Sequence, residues 1–237
     1  MPSPFKILTF DTIGTIIDYE TGIIDYFRKH VDHESLGISD NQLLRIYAEA
    51  ETELHRLSPI SSWMEMLPHI YRLMAQSSDI PHNEELAFGI REAAPFFPAF
   101  EDSIEAMKRL RKNHRLVTLT NGGRRAINQM AITLENPYDD IITVEDTLVN
   151  KPDPQAFAYM RGRQSHLGYQ LSDYLHVAQS QYHDIGIAKK LGYTTAWIER
   201  RAGKEGYGAT PDPAEFTEPN YRFTSLKELA DWLDSFD

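Results

Sequence analysis

The sequence predicts an α/β protein: a Rossmann-like, doubly wound parallel sheet with an all-helical segment inserted after its first strand. Three observations lead there. From about residue 99 onward, short apolar or β-branched runs alternate with amphipathic helical stretches, the pattern of a parallel sheet with right-handed crossovers. The first apolar run, Phe5–Phe10, is separated from the others by residues 19–94, whose periodicity is purely helical. Several runs end on polar or acidic residues, some with glycine close behind, and open α/β sheets form their ligand crevice at such strand ends. The expected division is therefore a core made of residues 1–18 and 95–237, with a helical domain at 19–94.

In order, Ile7, Leu8, Thr9 and Phe10 suit a strand covered on both faces, and Asp11 closes it. Gly14 lets the chain turn tightly just beyond. Ile23, Ile24, Tyr26 and Phe27 mark a first helix. Ser39 with Gln42 and Ser62 with Glu65 form capping boxes for two more, and Pro59 separates them. A further helix starts near Asn83. The prolines of Pro95-Phe96-Phe97-Pro98 stiffen the return connection. A helix over 102–113, a strand at 116–120 and a helix through Ile127 and Met130 follow. Next come a strand at 141–144, a helix at 154–167 opened by Pro154, and a strand at 175–178. A helix from 183 to 191, with Gly192 as its cap, leads to a strand at 194–198. Residues 202–219, rich in Gly and Pro, read as a long loop that is mobile or packed on the surface. A short strand at 221–223 and a helix capped by Ser225 close the chain.

Composition narrows the function classes. The 237 residues carry a formal net charge of −11, which argues against nucleic-acid and anionic-membrane partners. There are 0 cysteines, so disulfides, thiolate metal sites and a cysteine nucleophile are excluded. No run approaches the roughly 20 apolar residues that span a bilayer. The first residues lack a signal-peptide pattern, so a cytoplasmic protein is expected.

In a parallel sheet the strand ends meet along one edge. Asp11, Thr120-Asn121 and the segment from Gln179 to Asp184 should therefore converge there, with Lys151 in reach. Asp11-Thr12-Ile13-Gly14-Thr15, Thr120-Asn121-Gly122, Lys151-Pro152-Asp153 and the segment ending in Asp184 resemble, in order and spacing, the four motifs of the haloacid dehalogenase superfamily. The branch they resemble most is the type II 2-haloacid dehalogenases. The resemblance spans essentially the whole chain and implies a helical cap over an α/β core.

It also implies site residues. Asp11 would be the nucleophile, Lys151 would keep it ionised, Thr15 would donate a hydrogen bond, and Asp184 would orient Lys151 or the hydrolytic water. Thr12, Ile13, Thr120 and Asn121 would contact the substrate, Thr120 and the Asn121 backbone meeting its carboxylate. Gln179 and Gln181 would line the water side, and His183 is the single imidazole near this set. From the cap, Arg45 would approach the substrate; Tyr47, Trp63 and Met66 could line the pocket.

Four departures from the family pattern carry information. Superfamily phosphatases place a general acid two residues after the nucleophile, where this chain has Ile13, and an acid near Gln179 to help hold Mg²⁺. Both changes favour displacement at carbon, with no metal or cofactor and a small-molecule carboxylate as substrate. The dehalogenases, however, carry Ser and Asn at the places of Gln179 and Gln181, and a tryptophan beside the cap arginine that is missing next to Arg45. The expected activity is (S)-2-haloacid dehalogenation through an aspartyl ester. A Mg²⁺-dependent phosphatase, hydrolytic opening of a strained ring carboxylate, and a catalytically silent binding protein remain as alternatives. The resemblance leaves a homodimer open.

Overall fold

A computed structural model describes residues 3–58 and 60–236; Pro59, expected to separate two helices, lies outside them. Six strands form one parallel sheet in the order β3-β2-β1-β4-β5-β6: β1 (Ile7–Phe10), β2 (Arg115–Thr120), β3 (Asp140–Thr143), β4 (Tyr174–Ala178), β5 (Thr194–Ile198) and β6 (Tyr221–Phe223). The strand order reverses between β1 and β4, so the crevice of this sheet opens at their carboxyl ends. Phe10 stands opposite Val177 there, and the Asp11 N–H extends the ladder by donating to the Val177 carbonyl at 3.1 Å.

The central strands are apolar on both faces because helices cover both. Leu8, Phe10, Leu175 and Val177 pack into a large core shared with α5 (Ser103–Leu110), α6 (Arg124–Thr133) and α10 (Leu226–Asp234). Ile7, Val117 and Leu119 face the other way, against Phe157 and Met160 of α8 (Pro154–Ser165) and Ala188 of α9 (Gly186–Lys190). Thr9 and His176 share that second face as direct neighbours in the β1–β4 register.

Between β1 and α5 the chain builds four helices: α1 (Tyr19–His30), α2 (Asp40–Leu57), α3 (Trp63–Ser77) and α4 (Glu84–Ala93). Both expected capping boxes are formed, at Ser39–Gln42 and Ser62–Glu65. Among the described residues, no helix is long and apolar enough to cross a membrane.

Two local expectations are corrected. The third strand ends at Thr143, because Asp146 accepts from the Thr143 N–H at 2.9 Å and starts a short helix, α7 (Val144–Thr147). The expected helix over 183–191 is two pieces. Gln181–Ile185 forms one wide π-type turn, entered at Ser180, whose hydroxyl accepts from the His183 N–H at 2.8 Å; α9 follows. Such turns often occur at functional sites, because they re-aim a side chain.

Candidate active site

Asp11 sits at the tip of β1, buried, with its two carboxylate oxygens differently engaged. Oδ2 accepts from the Thr15 hydroxyl at 2.8 Å, and Oδ1 accepts from the Lys151 ammonium at 2.9 Å. The turn bringing Thr15 back to Asp11 needs Gly14, whose φ of +92° is costly for any residue with a Cβ. Thr15 in turn accepts at Oγ1 from the Gln179 N–H at 2.8 Å, which ties the β1 and β4 tips together.

Lys151 is only 2% exposed and also donates to Asp184 Oδ1 at 2.7 Å. Its backbone is gripped by the Asn121 side chain: Oδ1 accepts from the Lys151 N–H at 2.7 Å, and Nδ2 donates to the Lys151 carbonyl at 3.0 Å. Asp184, delivered by the π-type turn, is fully buried and also meets His176 Nε2 at 3.0 Å. Thr9 Oγ1 lies 2.9 Å from His176 Nδ1. The His176 ring thus bridges the Thr9 hydroxyl and the Asp184 carboxylate, with Nε2 placed to donate to Asp184. The sequence reading had treated His176 only as strand.

The electrostatics follow from one ammonium shared by two buried carboxylates. Burial raises the Asp11 pKa above its ordinary 3.8, and the Lys151 charge only partly offsets it. For Asp184 burial pushes the same way, but the Lys151 charge and the His176 hydrogen bond outweigh it and leave the pKa low. Burial would lower the Lys151 pKa, yet the two carboxylates raise it above 10.5. His183 is held well below 6.5, by burial first and by His55 second, so its imidazole is neutral near pH 7.

Asp11 and Lys151 open onto a cavity of about 40 Å³. Ile13, Thr120, Asn121, Gln179, Ser180 and His183 line it from the core side; Tyr19, Glu51 and Trp63 line it from the helical segment, and Thr210 from the long loop. Thr120 Oγ1 accepts from the Gly122 N–H at 3.0 Å and keeps its own proton to donate. Gln179 Oε1 is within 3.2 Å of the Thr210 hydroxyl, and Thr210 is within 2.9 Å of the Tyr19 hydroxyl. The loop is thus packed into the site, where composition alone left it open whether it was mobile.

Three expected contacts fall elsewhere. Arg45 is exposed on α2 and lines an outer cleft with Glu49 and Arg201, because the buried stripe of that helix runs through Leu44, Tyr47 and Glu51. The Thr12 side chain is buried between strands, 2.6 Å from the Thr118 hydroxyl and 2.9 Å from Tyr138 Oη. Gln181 turns from the cavity and accepts at Oε1 from the Thr217 N–H at 3.1 Å. Of the three cap side chains, Trp63 reaches the cavity; Tyr47 stands behind it, 2.8 Å from its Nε1, and Met66 is buried away from it. Nor is His183 the single imidazole nearby, since His176 touches Asp184 and the His55 ring centroid is 5.1 Å from that of His183. Glu51, His176 and Thr210 are the residues that sequence reasoning missed.

The donor set suits an ammonium better than a divalent cation. Lys151 Nζ already bridges Asp11 and Asp184, and Gln179 supplies an amide where a third carboxylate would help. Among the described residues, the one group of three His, Asp or Glu side chains close enough to share an ion is His33, Glu34 and Asp40, outside this cavity.

A parallel α/β sheet with a buried aspartate at a central strand tip and a buried lysine bound to it defines an α/β fold with an acid–ammonium pair at its crevice. Residues 5–192 match the family model of the haloacid dehalogenase-like hydrolases, and the chain belongs to that family. The (S)-2-haloacid dehalogenase 4A of Burkholderia cepacia is 23% identical over 247 residues, covering 97% of this chain and 95% of that one. The L-2-haloacid dehalogenase of Xanthobacter autotrophicus has the same fold, with a TM-score of 0.76 and 14% identity over 98% of this chain and 100% of that one. A structure of that enzyme with chloropropionic acid covalently bound gives 0.74 and 15% over the same shares. A HAD-hydrolase from Bacillus subtilis, YfnB, bound to magnesium, gives 0.75 and 17%, over 97% of this chain and 99% of that one.

Proposed function

We propose that this hydrolase displaces a leaving group from the α-carbon of a small 2-substituted carboxylic acid, with a 2-haloacid as the first substrate to test. The helical segment 19–94 acts as the cap over the core of residues 1–18 and 95–237. The observation that carries the reading is Ile13 lining the cavity beside the Asp11–Lys151 pair. An isoleucine can neither protonate an alkoxide nor bind a metal, whereas a halide leaves without a proton. The curated relative named above, an (S)-2-haloacid dehalogenase, points the same way.

In the first step an Asp11 oxygen attacks the carbon bearing the halide; the carbon–halogen bond breaks and the halide departs with the bonding pair. Lys151 and Thr15 hydrogen-bond the carboxylate from opposite sides and hold it for in-line attack. Thr120 donates a hydrogen bond from its hydroxyl to the substrate carboxylate. Water then adds to the carbonyl carbon of the aspartyl ester, the bond from that carbon to the alkyl oxygen breaks, and the 2-hydroxy acid leaves. One water oxygen remains on Asp11, and one proton passes to solvent. Lys151 stabilises the negative oxygen of the tetrahedral stage.

Single turnover with 2-chloropropionate in ¹⁸O-water, followed by peptide mass analysis, is the test. Label in the peptide containing Asp11 is expected. Chloride release with no label there rules out the ester, and p-nitrophenyl phosphate turnover abolished by EDTA and by Asp11→Asn would replace the reading with phosphoryl transfer.

A further inference from the structure

One carboxylate in the cavity has no part in the chemistry above. Glu51, on α2, is 5% exposed and lines the same small cavity as Asp11 and Lys151. None of the hydrogen bonds among the described residues involves its side chain; the His55 imidazole stands beside it, with Nε2 3.7 Å from Oε1, beyond hydrogen-bonding distance. Apart from that imidazole, the polar groups around it bring no cation of their own to Glu51. Tyr19 and Tyr47 have hydroxyl pKa values well above 10.0, chiefly through burial, with the Glu51 charge adding to both, so they remain phenols. His183 is neutral near pH 7, and Lys151, among the described residues the only lysine or arginine lining the cavity, is already shared by Asp11 and Asp184. A buried carboxylate that faces a cavity without a donor is costly unless a ligand supplies one.

The placement also bears on what can enter. An anionic haloacid would bring a further negative charge into a cavity lined by Asp11 and Glu51 with a single ammonium, and like charges that share a site repel. A substrate with an ammonium group would turn that repulsion into a charge-assisted hydrogen bond. Thr120 and Asn121 stand on the core side and Glu51 on the helical side, so a zwitterion could lay its carboxylate on the core and its ammonium against α2.

We propose that Glu51 is a specificity residue that selects substrates carrying an ammonium group beside the carbon under attack, so that the enzyme acts on amino-substituted small carboxylic acids in preference to simple haloacid anions. This deepens the displacement chemistry proposed above and rests on it for turnover, although not for binding.

The experiment compares wild type with Glu51→Gln, which keeps the shape and removes the charge. For turnover, chloride release is measured from 2-chloropropionate and from 3-amino-2-chloropropionate. The wild type should prefer the amino acid in kcat/KM by about ten- to a hundredfold, the worth of one hydrogen bond to a charged partner. In Glu51→Gln the preference should collapse, with the amino substrate losing and 2-chloropropionate gaining. For binding, calorimetric titration uses two non-reacting probes, β-alanine and propionate. β-Alanine should bind wild type more tightly than propionate and lose that advantage in Glu51→Gln. Equal binding of the two probes, or a preference that survives Glu51→Gln, overturns the assignment. If neither chloro compound releases chloride while β-alanine is still preferred, displacement at carbon is what fails and the role of Glu51 stands.

Discussion

Lys151 makes the site work as a residue-scale device, because one ammonium balances two carboxylates that could not otherwise share a dry interior. Lys151→Met removes that charge and leaves Asp11 and Asp184 buried without compensation. The expected cost is about 3–5 kcal/mol of folding stability, together with loss of turnover; urea unfolding measures the first and halide release the second. A variant as stable as wild type would mean that the carboxylates take up protons at no cost. The pH profile follows from the same trio. Asp11 must be ionised to attack, and its pKa is raised, so the acid limb of kcat/KM should lie above 3.8. Lys151 has a raised pKa in the folded protein, so its stabilisation is complete below the ordinary 10.5 and is lost only as pH rises through the folded value. The alkaline limb should therefore fall above 10.5, and a limb near neutrality would show that another group governs activity. Asp11 and Lys151 were legible in the sequence because each belongs to a short motif, Asp11 at the end of a strand and Lys151 in the connection beyond one. His176 was not, because its partnership with Asp184 depends on strand register and on a π-type turn that no local pattern announces.

At the scale of elements, the helical segment is locked to the core through contacts in which glycine is a packing residue. Gly22 in α1 lies against the Phe97 ring: a Cβ there would stand 2.2 Å from Cγ. Glycine to alanine in a helix normally gains roughly 1 kcal/mol from propensity. Here the clash should win, and Gly22→Ala should lower the urea midpoint by an amount worth about 1–3 kcal/mol. A raised midpoint would show that Phe97 swings aside freely. The same scale explains why Arg45 was a poor guide. Capping boxes and apolar spacing reveal that α2 exists, but they do not say which polar residue shares the buried stripe. Leu44, Tyr47 and Glu51 lie three and four residues apart on one face, which leaves Arg45 outside it. The clue was present in that spacing. A carboxylate on a buried stripe reads as a defect until the fold shows that it faces a cavity.

For the whole molecule, the question is how a substrate reaches Asp11. The cavity of about 40 Å³ has room for a few waters at roughly 10–15 Å³ each, and a three-carbon haloacid is several times larger than one water. Tyr19 and Gln179 form a common wall between this cavity and a neighbouring cleft of about 780 Å³. The expectation is that the four-helix segment moves relative to the sheet during turnover, a hinge motion of the kind that admits substrate and then excludes water. The parallel sheet was readable from alternating strand and helix patterns and the inserted helices from their helical periodicity, whereas the strand order and this closure were not, since they depend on how distant surfaces meet. The closed contact supplies its own test. Ser62 starts α3 and Gly123 precedes α6, and a Cβ on Gly123 would lie 3.6 Å from Ser62 Cβ, within the ~3.5–4.5 Å range that a disulfide spans. The chain contains 0 cysteines, so a Ser62→Cys/Gly123→Cys variant would offer a single defined pair. Gly123 has a φ of −76°, which a cysteine adopts without strain. Oxidation should abolish turnover, and dithiothreitol should restore it to the level of the reduced variant, which is the control for any loss of the Ser62 cap. Full activity in the oxidised form would mean that substrate enters without the helices lifting from the sheet.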